Sequence, residues 1–367
     1  NHFANPSSPH SAGREARAAL ELARSAVSGT LGAKPVEIIV TSGSTESAHI
    51  AISGAVGAFP NMSVAVAAIE HTAILQAATI FSEMPPAIIP CDPKGIVQPD
   101  TVRKTITDTT VLVCVQYANN EIGTLQPVAA IAAEIAKIRE QRIARGIDLP
   151  LYFYCDAAQG GLLSLQVSRL GIDLLSMGGS KIYGPPGSGF LYIRTGTRLK
   201  PIFTGGGQEG GLRGGTENVA AAVGLAEALR LIQNSRTSES QRLKSLRDGL
   251  WRSIKNEIEG VVLNGSLDHR LPHNLHLSFE GCEGEALVAH LDARGFAVAT
   301  GSACTAANQD PSHVLLALGR TREQAESSVR ISLGRFTSVE EVEDFGPALN
   351  QAVADVRRHA MRNHRVQ

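Results

Sequence analysis

The sequence has few cysteines, and their number and spacing exclude two classes of protein. The five cysteines, Cys91, Cys114, Cys155, Cys282 and Cys304, are odd in number, widely spaced and in no CxxC pair. Neither a disulfide scaffold nor a zinc ribbon is therefore expected, and we predict no metal site. A reducing compartment, the cytoplasm, suits such cysteine usage best.

Net charge and long apolar runs are also lacking. There are 34 basic and 35 acidic residues, which leaves a net charge of −1. This balance rules out broad electrostatic attraction to nucleic acid or to an anionic membrane surface. No apolar run reaches the ~18 residues that a transmembrane helix needs. We therefore expect neither direct nucleic-acid binding nor a membrane span.

What the chain does contain is an alternation of helical patterns with short β-branched runs. Its 367 residues favour two domains. Buried strands that alternate with helices predict an α/β sheet covered on both faces, here a large domain over residues 1–229. The predicted strands of this domain are Val36–Thr41, Ser63–Ala68, Ala87–Pro90, Thr110–Gln116, Leu151–Cys155, Leu174–Met177 and Gly189–Arg194.

The C-terminal part has a different pattern, which predicts a smaller α+β domain over residues 230–367. A long helix runs from about Glu217 to Lys255, and a final helix begins at Ser338. Between them the pattern is strand, helix and strand. These three segments are His273–Phe279, Gly284–Ala293 and Ala297–Thr300, and a further segment, Ala325–Leu333, precedes the final helix.

Three polar features fall at predicted strand ends, where open α/β sheets bind ligands. The turn Thr41–Thr45 opens a helix, and its N–H groups suit a phosphate, although Ser and Thr also serve as ordinary helix caps. Asp156 follows a buried strand. Lys181 follows a Gly-Gly-Ser turn, which predicts a close-packed, partly desolvated site, although a lone lysine is more often a surface charge.

Together these features are what pyridoxal 5′-phosphate (PLP) requires. A lysine forms the Schiff base, a carboxylate keeps the pyridine nitrogen protonated, and a turn holds the phosphate. By their spacing alone the residues also remain compatible with capping and surface roles.

Further motifs favour the PLP interpretation. Through them the chain resembles the cysteine desulfurases of the NifS/IscS-like family. These enzymes belong to the class V aminotransferase group of fold-type I PLP enzymes. The resemblance runs in family order over nearly the whole chain. It is carried by Asn5-Pro-Ser-Ser, Thr41-Ser-Gly-Ser-Thr-Glu-Ser, Glu70-His71, Ala118-Asn-Asn-Glu-Ile-Gly-Thr124, Asp156-Ala-Ala-Gln159, Lys181-Ile-Tyr-Gly-Pro185, Gly205-Gly-Gly-Gln-Glu, Arg213-Gly-Gly-Thr-Glu-Asn218, Thr300-Gly-Ser-Ala-Cys304 and Val329-Arg-Ile-Ser-Leu-Gly-Arg335.

The resemblance implies roles around the cofactor ring. Lys181 would form the Schiff base, and Asp156 would pair with the pyridinium nitrogen. His71 would stack on the ring and assist proton transfer, although its sequence context alone suits a surface histidine. Asn120 and Gln159 would lie beside the ring's substituents, Gln159 towards the phenolic oxygen; without the resemblance, Gln159 could be a helix cap.

The resemblance also implies a phosphate cup. Ser44 and Thr45 would hold the phosphate, with Ser180 and with Thr216 from the second subunit of a homodimer. Gly178 departs from the family pattern, which usually has Ser or Thr there, and Ser180 stands where His is frequent. Gly178 has no hydroxyl to donate, so one phosphate contact would fall to backbone or be lost.

For the substrate, L-cysteine, the resemblance implies that Arg330 takes the carboxylate, with Asn120 nearby. Cys304 lies in a segment of small residues, as suits an exposed sulfur carrier. It would accept sulfur as a persulfide, release alanine and pass the sulfur to a protein acceptor such as an iron–sulfur scaffold. The alternatives are a selenocysteine lyase, another class V aminotransferase-like enzyme and a catalytically silent scaffold.

The beginning of the family pattern is not found in this sequence. The chain starts at Asn1 without methionine, and the family's opening Asp-x-x-Ala-Thr-Thr-Pro segment is absent. We expect that the natural start is missing, which leaves an organellar location open beside the cytoplasm.

Overall fold

The computed structural model describes residues 4–301 and 310–364 and contains two compact units. The first unit comprises most of the chain up to Arg236, and the second comprises the chain from Thr237 onward. Two short segments of the N-terminal half, Cys91–Ile96 and Asn119–Leu125, also belong to the second unit. Sequence periodicity placed both within residues 1–229, because it carries no information on which unit a loop packs against.

The first unit is built on a seven-stranded mixed sheet, so the predicted α/β class is confirmed. The strand order is β1-β7-β6-β5-β4-β2-β3, and β7 runs antiparallel to both of its neighbours. The remaining pairs are parallel. The strands are β1 (Ile38–Thr41), β2 (Ser63–Ala67), β3 (Ala87–Ile89), β4 (Thr110–Cys114), β5 (Tyr152–Asp156), β6 (Leu174–Gly178) and β7 (Gly189–Ile193).

Burial on both faces explains why these runs are strands. Every position of β4 and β5 is buried, which is why each reads as a continuous apolar run and not as an alternation. Helices supply the covering layers, and the core joins Ile50 and Ile52 of one helix to Leu112 and Tyr154 of the sheet. The helices of this unit are α1 (Ser11–Leu31), α2 (Ser44–Ala58), α3 (Thr72–Phe81), α4 (Pro99–Thr105), α5 (Val128–Ala144), α6 (Val167–Leu170) and α7 (Val219–Asn234).

The long helix predicted from Glu217 to Lys255 is wrong, because the structure divides it at Ser235. Helix α7 ends at Asn234, and α8 spans Arg236–Glu257. Ser235 has a ψ of 0°, and its hydroxyl donates to the carbonyl of Leu231 at 3.0 Å. A serine that bonds to the preceding turn in this way competes with the helical hydrogen bonds.

The second unit has a three-stranded antiparallel sheet in the order β10-β9-β8. The strand predicted over Ala297–Thr300 is wrong: only Ala299 forms an isolated bridge, with Arg330. One isolated bridge gives the segment no ladder of its own. The elements of the unit are β8 (Val261–Leu263), β9 (Asn274–Phe279), β10 (Ser328–Ser332), α8 (Arg236–Glu257), α9 (Gly284–Asp292), α10 (His313–Ala317), α11 (Arg322–Glu326) and α12 (Val339–His364).

The second core lies between this sheet and α8, α9 and α12. Leu277, Leu287 and Leu349 are fully buried within it. Among the helices of the described chain, none is both long and apolar enough to cross a membrane.

Candidate active site

The polar residues singled out in the first unit meet at one edge of its sheet. Six of the seven strands point the same way, so their carboxyl ends lie together. Asp156 is the last residue of β5, and Lys181 follows β6 by three residues. Ser44 begins the helix after β1, and His71 lies four residues beyond the end of β2. This edge is where parallel sheets place ligands.

Asp156 is a buried carboxylate with one oxygen already engaged. The Ala158 N–H donates to Oδ1 at 2.9 Å, and the Ser176 hydroxyl donates to the same atom at 3.2 Å. Within the described chain Oδ2 makes no hydrogen bond, so it remains available to a donor. Burial raises the pKa of Asp156, while the Ala158 N–H, the charge of His71 and the Ser176 hydroxyl lower it in part.

Ser176 is a supporting residue that sequence reasoning missed. It lies in β6 with no exposed surface, and the Tyr154 hydroxyl is 2.6 Å from its Oγ. Because Ser176 gives its single proton to the carboxylate, Tyr154 donates its own proton to Ser176. A hydroxyl inside the apolar run Leu174–Met177 was the available signal.

His71 is the N-cap of α3 and not a free surface histidine. The Ala73 N–H donates to its Nδ1 at 3.1 Å. Since Nδ1 accepts a hydrogen bond, the neutral ring carries its proton on Nε2. The residue is half-buried, and its charge acts on Asp156. The structure thus brings these two predicted residues together.

The turn before α2 leaves its hydroxyls available. Gly43 is the N-cap, and no side chain caps the helix. Ser44 and Thr45 therefore occupy the first two helical positions, beside N–H groups that lack helical acceptors. This observation weakens the capping interpretation of both residues, and it favours an anion at the turn.

An ion pair fixes this turn. Glu46 accepts from the Ser42 N–H at 2.5 Å and from Nε of Arg213 at 2.8 Å. Burial by itself raises the pKa of Glu46, but the hydrogen bonds from Arg213 and Ser42 outweigh it and hold that pKa below its usual value. Arg213 belongs to the glycine-rich segment that carries Thr216, which is exposed.

Gly178 faces the same turn. A Cβ built on it would lie 3.3 Å from the Ser44 nitrogen and 3.4 Å from the Ser44 Oγ. Its φ of −114° and ψ of 138° are ordinary for any residue, so the backbone does not require glycine there. By contrast, a Cβ on Gly179 would lie 2.1 Å from the Ser188 Oγ, so the next position has no room for a side chain.

The lysine turn is close-packed, as predicted, but the prediction that its site is partly desolvated is wrong for the lysine itself. Gly179 and Ile182 are buried, whereas Lys181 and Ser180 are exposed. The short 3₁₀ turn Gly179–Ile182 directs these two residues outward. Gln159 is half-buried, three residues beyond Asp156.

In the second unit, the structure brings together the two residues assigned to the substrate. Arg330 lies in β10 and pairs with His276 of β9. Its Nη1 donates to the backbone carbonyl of Asn120 at 3.0 Å. The segment that holds Asn120 is fixed by Asn274, whose Nδ2 donates to the Glu121 carbonyl at 2.9 Å. Both Asn120 and Arg330 are half-buried.

Cys304 lies outside the described residues, but the other four cysteines can be assessed. Cys114 and Cys155 are fully buried, as expected of small apolar residues, and burial raises the pKa of each thiol well above its usual value. Burial raises the pKa of Cys91 to about 11 and also raises that of Cys282. All four therefore stay protonated near neutral pH and are poor nucleophiles.

Comparisons with known proteins agree with this geometry. A family model described as aminotransferase class-V matches residues 1–345. The curated cysteine desulfurase IscS of Dictyoglomus turgidum is 39% identical over 360 residues, which are 97% of this chain and 89% of that protein. A solved NifS-like protein has a TM-score of 0.85 and 31% identity, covering 96% of this chain and 92% of its own. The structure of SspA in complex with cysteine has a TM-score of 0.78 and 31% identity, covering 92% of each chain.

Proposed function

This chain belongs to the aminotransferase class-V family, and we propose that it is an L-cysteine desulfurase that depends on PLP. Relatives named cysteine desulfurase IscS match nearly its whole length. A structural neighbour was solved in complex with cysteine. The reaction converts L-cysteine to L-alanine and leaves the sulfur on Cys304 as a persulfide.

The observation that carries the proposal is that an acceptor carboxylate, a histidine, a lysine and an anion-binding turn meet at one edge of the sheet. These groups fit PLP. Asp156 Oδ2 accepts no hydrogen bond from the described residues, and the hydroxyls of Ser44 and Thr45 leave the capping of α2 to the backbone. Lys181 would bind the cofactor covalently, with Gln159 and Ser180 beside it. When bound, PLP supplies an electron sink for the α-carbon of the substrate.

Asp156 and His71 have distinct tasks in this proposal. Asp156 Oδ2 would accept a hydrogen bond from the protonated ring nitrogen, whose positive charge would favour the ionised carboxylate against its burial. His71 would present Nε2 to the cofactor ring, because Nδ1 is committed to the Ala73 N–H. The neutral ring can therefore donate a hydrogen bond from its Nε2–H without losing the cap of α3.

Arg330 binds the carboxylate of L-cysteine, supported by Asn120, and leaves the thiol end free. The Cys304 thiolate attacks the substrate sulfur, so that an S–S bond forms while the carbon–sulfur bond of the substrate breaks. The carbon skeleton gains a proton and leaves as alanine. The raised thiol pKa values of the four described cysteines support Cys304 as the attacking thiol.

The proposal also includes the protein that accepts the sulfur and the oligomeric state of the enzyme. The persulfide passes to a protein acceptor, for which an iron–sulfur scaffold in the cytoplasm is our candidate. The protein acts as a homodimer, in which Thr216 reaches the phosphate held by the other subunit. The exposure of Thr216 within a single chain supports this arrangement.

The experiment compares product release from L-cysteine and L-selenocysteine in the presence of a thiol reductant. We expect alanine and sulfide in equal amounts from cysteine. Activity confined to selenocysteine would identify a selenocysteine lyase, and amino-group transfer to a keto acid would identify an aminotransferase. No turnover of either substrate by PLP-loaded protein would identify a silent scaffold.

A further inference from the structure

The turn that carries His71 is tied to the end of β4 by two hydrogen bonds, both donated by Gln116. The Gln116 N–H donates to Glu70 Oε1 at 2.6 Å, and Gln116 Nε2 donates to the Ile69 carbonyl at 2.5 Å. The β2–β4 ladder has its last pair at Val66 and Cys114. Side chains thus continue the connection between these strands beyond the sheet. Glu70 is 0% exposed, and Gln116 is 2% exposed.

The same strand end also reaches Asp156. The N–H next to Gln116, that of Tyr117, donates to the Asp156 carbonyl at 2.8 Å. Two hydrogen bonds, joined by the peptide bond between Gln116 and Tyr117, therefore connect the turn at Ile69 to the backbone of Asp156. Movement at Glu70 would change the position of His71 relative to that carboxylate.

The surroundings of Glu70 favour its uncharged form. Burial raises its pKa well above the usual value, and the nearby charge of Asp156 raises it further, while the Gln116 N–H partly opposes both. Cys114, Cys155 and Tyr154 lie near Glu70, and a charge on Glu70 would add to the burial that raises the pKa of each of these groups. An uncharged acid still offers Oε1 as an acceptor, and so does the amide of glutamine.

We propose that Glu70 is a positioning residue, whose Oε1 holds the His71 turn against the end of β4 and so keeps His71 aligned with Asp156. The effect on turnover rests on the proposed function, since it acts through His71. The effect on the turn itself does not rest on that function.

The test uses the full chain as purified and compares Glu70→Ala with Glu70→Gln. In Glu70→Ala the Ala73 amide, which donates to His71, should exchange with deuterium about tenfold faster, as expected for the loss of one hydrogen bond. The kcat for cysteine should fall about tenfold from misalignment, with KM within about twofold because substrate binding is assigned to other residues. Glu70→Gln should restore both quantities to within about twofold of the parent, because its amide oxygen replaces Oε1.

Glu37→Ala is the matched control. Glu37 is also buried and accepts from the N–H groups of Thr195 at 2.8 Å and Lys34 at 2.9 Å. It precedes β1 and therefore lies at the opposite end of the sheet. The Glu37→Ala substitution should leave the Ala73 exchange rate and kcat unchanged.

Unchanged Ala73 exchange in folded Glu70→Ala, or a Glu70→Gln variant as impaired as Glu70→Ala, overturns the proposal. If Glu70→Ala does not fold, Glu70→Leu, which removes Oε1 but keeps a side chain of similar size in the buried site, must show the same faster exchange. A parent protein that does not turn over cysteine refutes the proposed function, and the exchange rates then still decide the role of Glu70.

Discussion

Replacing Gly178 by serine should strengthen cofactor binding, because the structure places this position against the phosphate turn. The new Cβ would lie 3.3 Å from the Ser44 nitrogen, which is close enough for a hydroxyl on it to reach an anion bound at Ser44 and Thr45. The φ of −114° permits serine without strain.

The size of the effect follows from the added hydrogen bond. A hydrogen bond to a charged group contributes roughly 1.5–3 kcal/mol, and a contact at 3.3 Å requires a shift of a few tenths of an ångström in the Ser44 backbone. Allowing ~1 kcal/mol for that shift leaves ~0.5–2 kcal/mol, which corresponds to PLP dissociating roughly 2- to 30-fold more slowly.

The matched control is Gly178→Ala, which adds the same Cβ without the hydroxyl. The assay follows PLP loss into an excess of a PLP-capturing protein, at a fixed concentration of dimer. We expect Gly178→Ser to lose PLP more slowly than both the parent and Gly178→Ala. Equal dissociation rates for the serine and alanine variants, both correctly folded, would show that the hydroxyl gains no phosphate contact.

Three further predictions address the anchor, the sulfur carrier and the second core. Lys181→Ala should abolish the visible absorbance that borohydride reduction removes in the parent; a reducible band that persists would mean that another lysine is the anchor. Cys304→Ser should bind PLP and respond spectrally to cysteine yet release no sulfide, and continued sulfide release would refute the assignment. Burial lowers the pKa of His276 to about 3. Its contribution to stability is therefore complete above pH ~6.5 and is lost as the pH falls from ~6.5 towards the folded-state pKa. His276→Leu should therefore reduce the fall of the unfolding free energy below pH ~6.5 by ~1.4 kcal/mol per pH unit in denaturant titrations, and an unchanged slope would contradict the buried, uncharged state.

Much of the first unit could be predicted from the sequence because its strands are buried on both faces. Continuous apolar runs such as Thr110–Cys114 indicate buried strands by themselves. Asp156 ends one such strand, and Lys181 follows another by three residues. The family resemblance and the fold-type I expectation are confirmed by relatives and structures that match nearly the whole chain. The roles of the individual site residues remain proposals.

What the sequence could not supply depends on pairing between distant residues. The bond between Glu70 and the Gln116 backbone joins positions 46 residues apart, and no local pattern marks it. The segment Ala297–Thr300 has strand-like residues but only one bridge, since strand formation needs a partner as well as propensity. The exposure of Lys181 follows from the turn geometry and not from its neighbours in the sequence.

The most direct test of the central claim is mass spectrometry of the peptide that contains Cys304, after the protein has been mixed with cysteine in the absence of reductant. The account predicts one added sulfur atom on Cys304 together with one alanine released per site, and neither product in Lys181→Ala. Alanine release with the added sulfur on another cysteine, or with none on the protein, would contradict it.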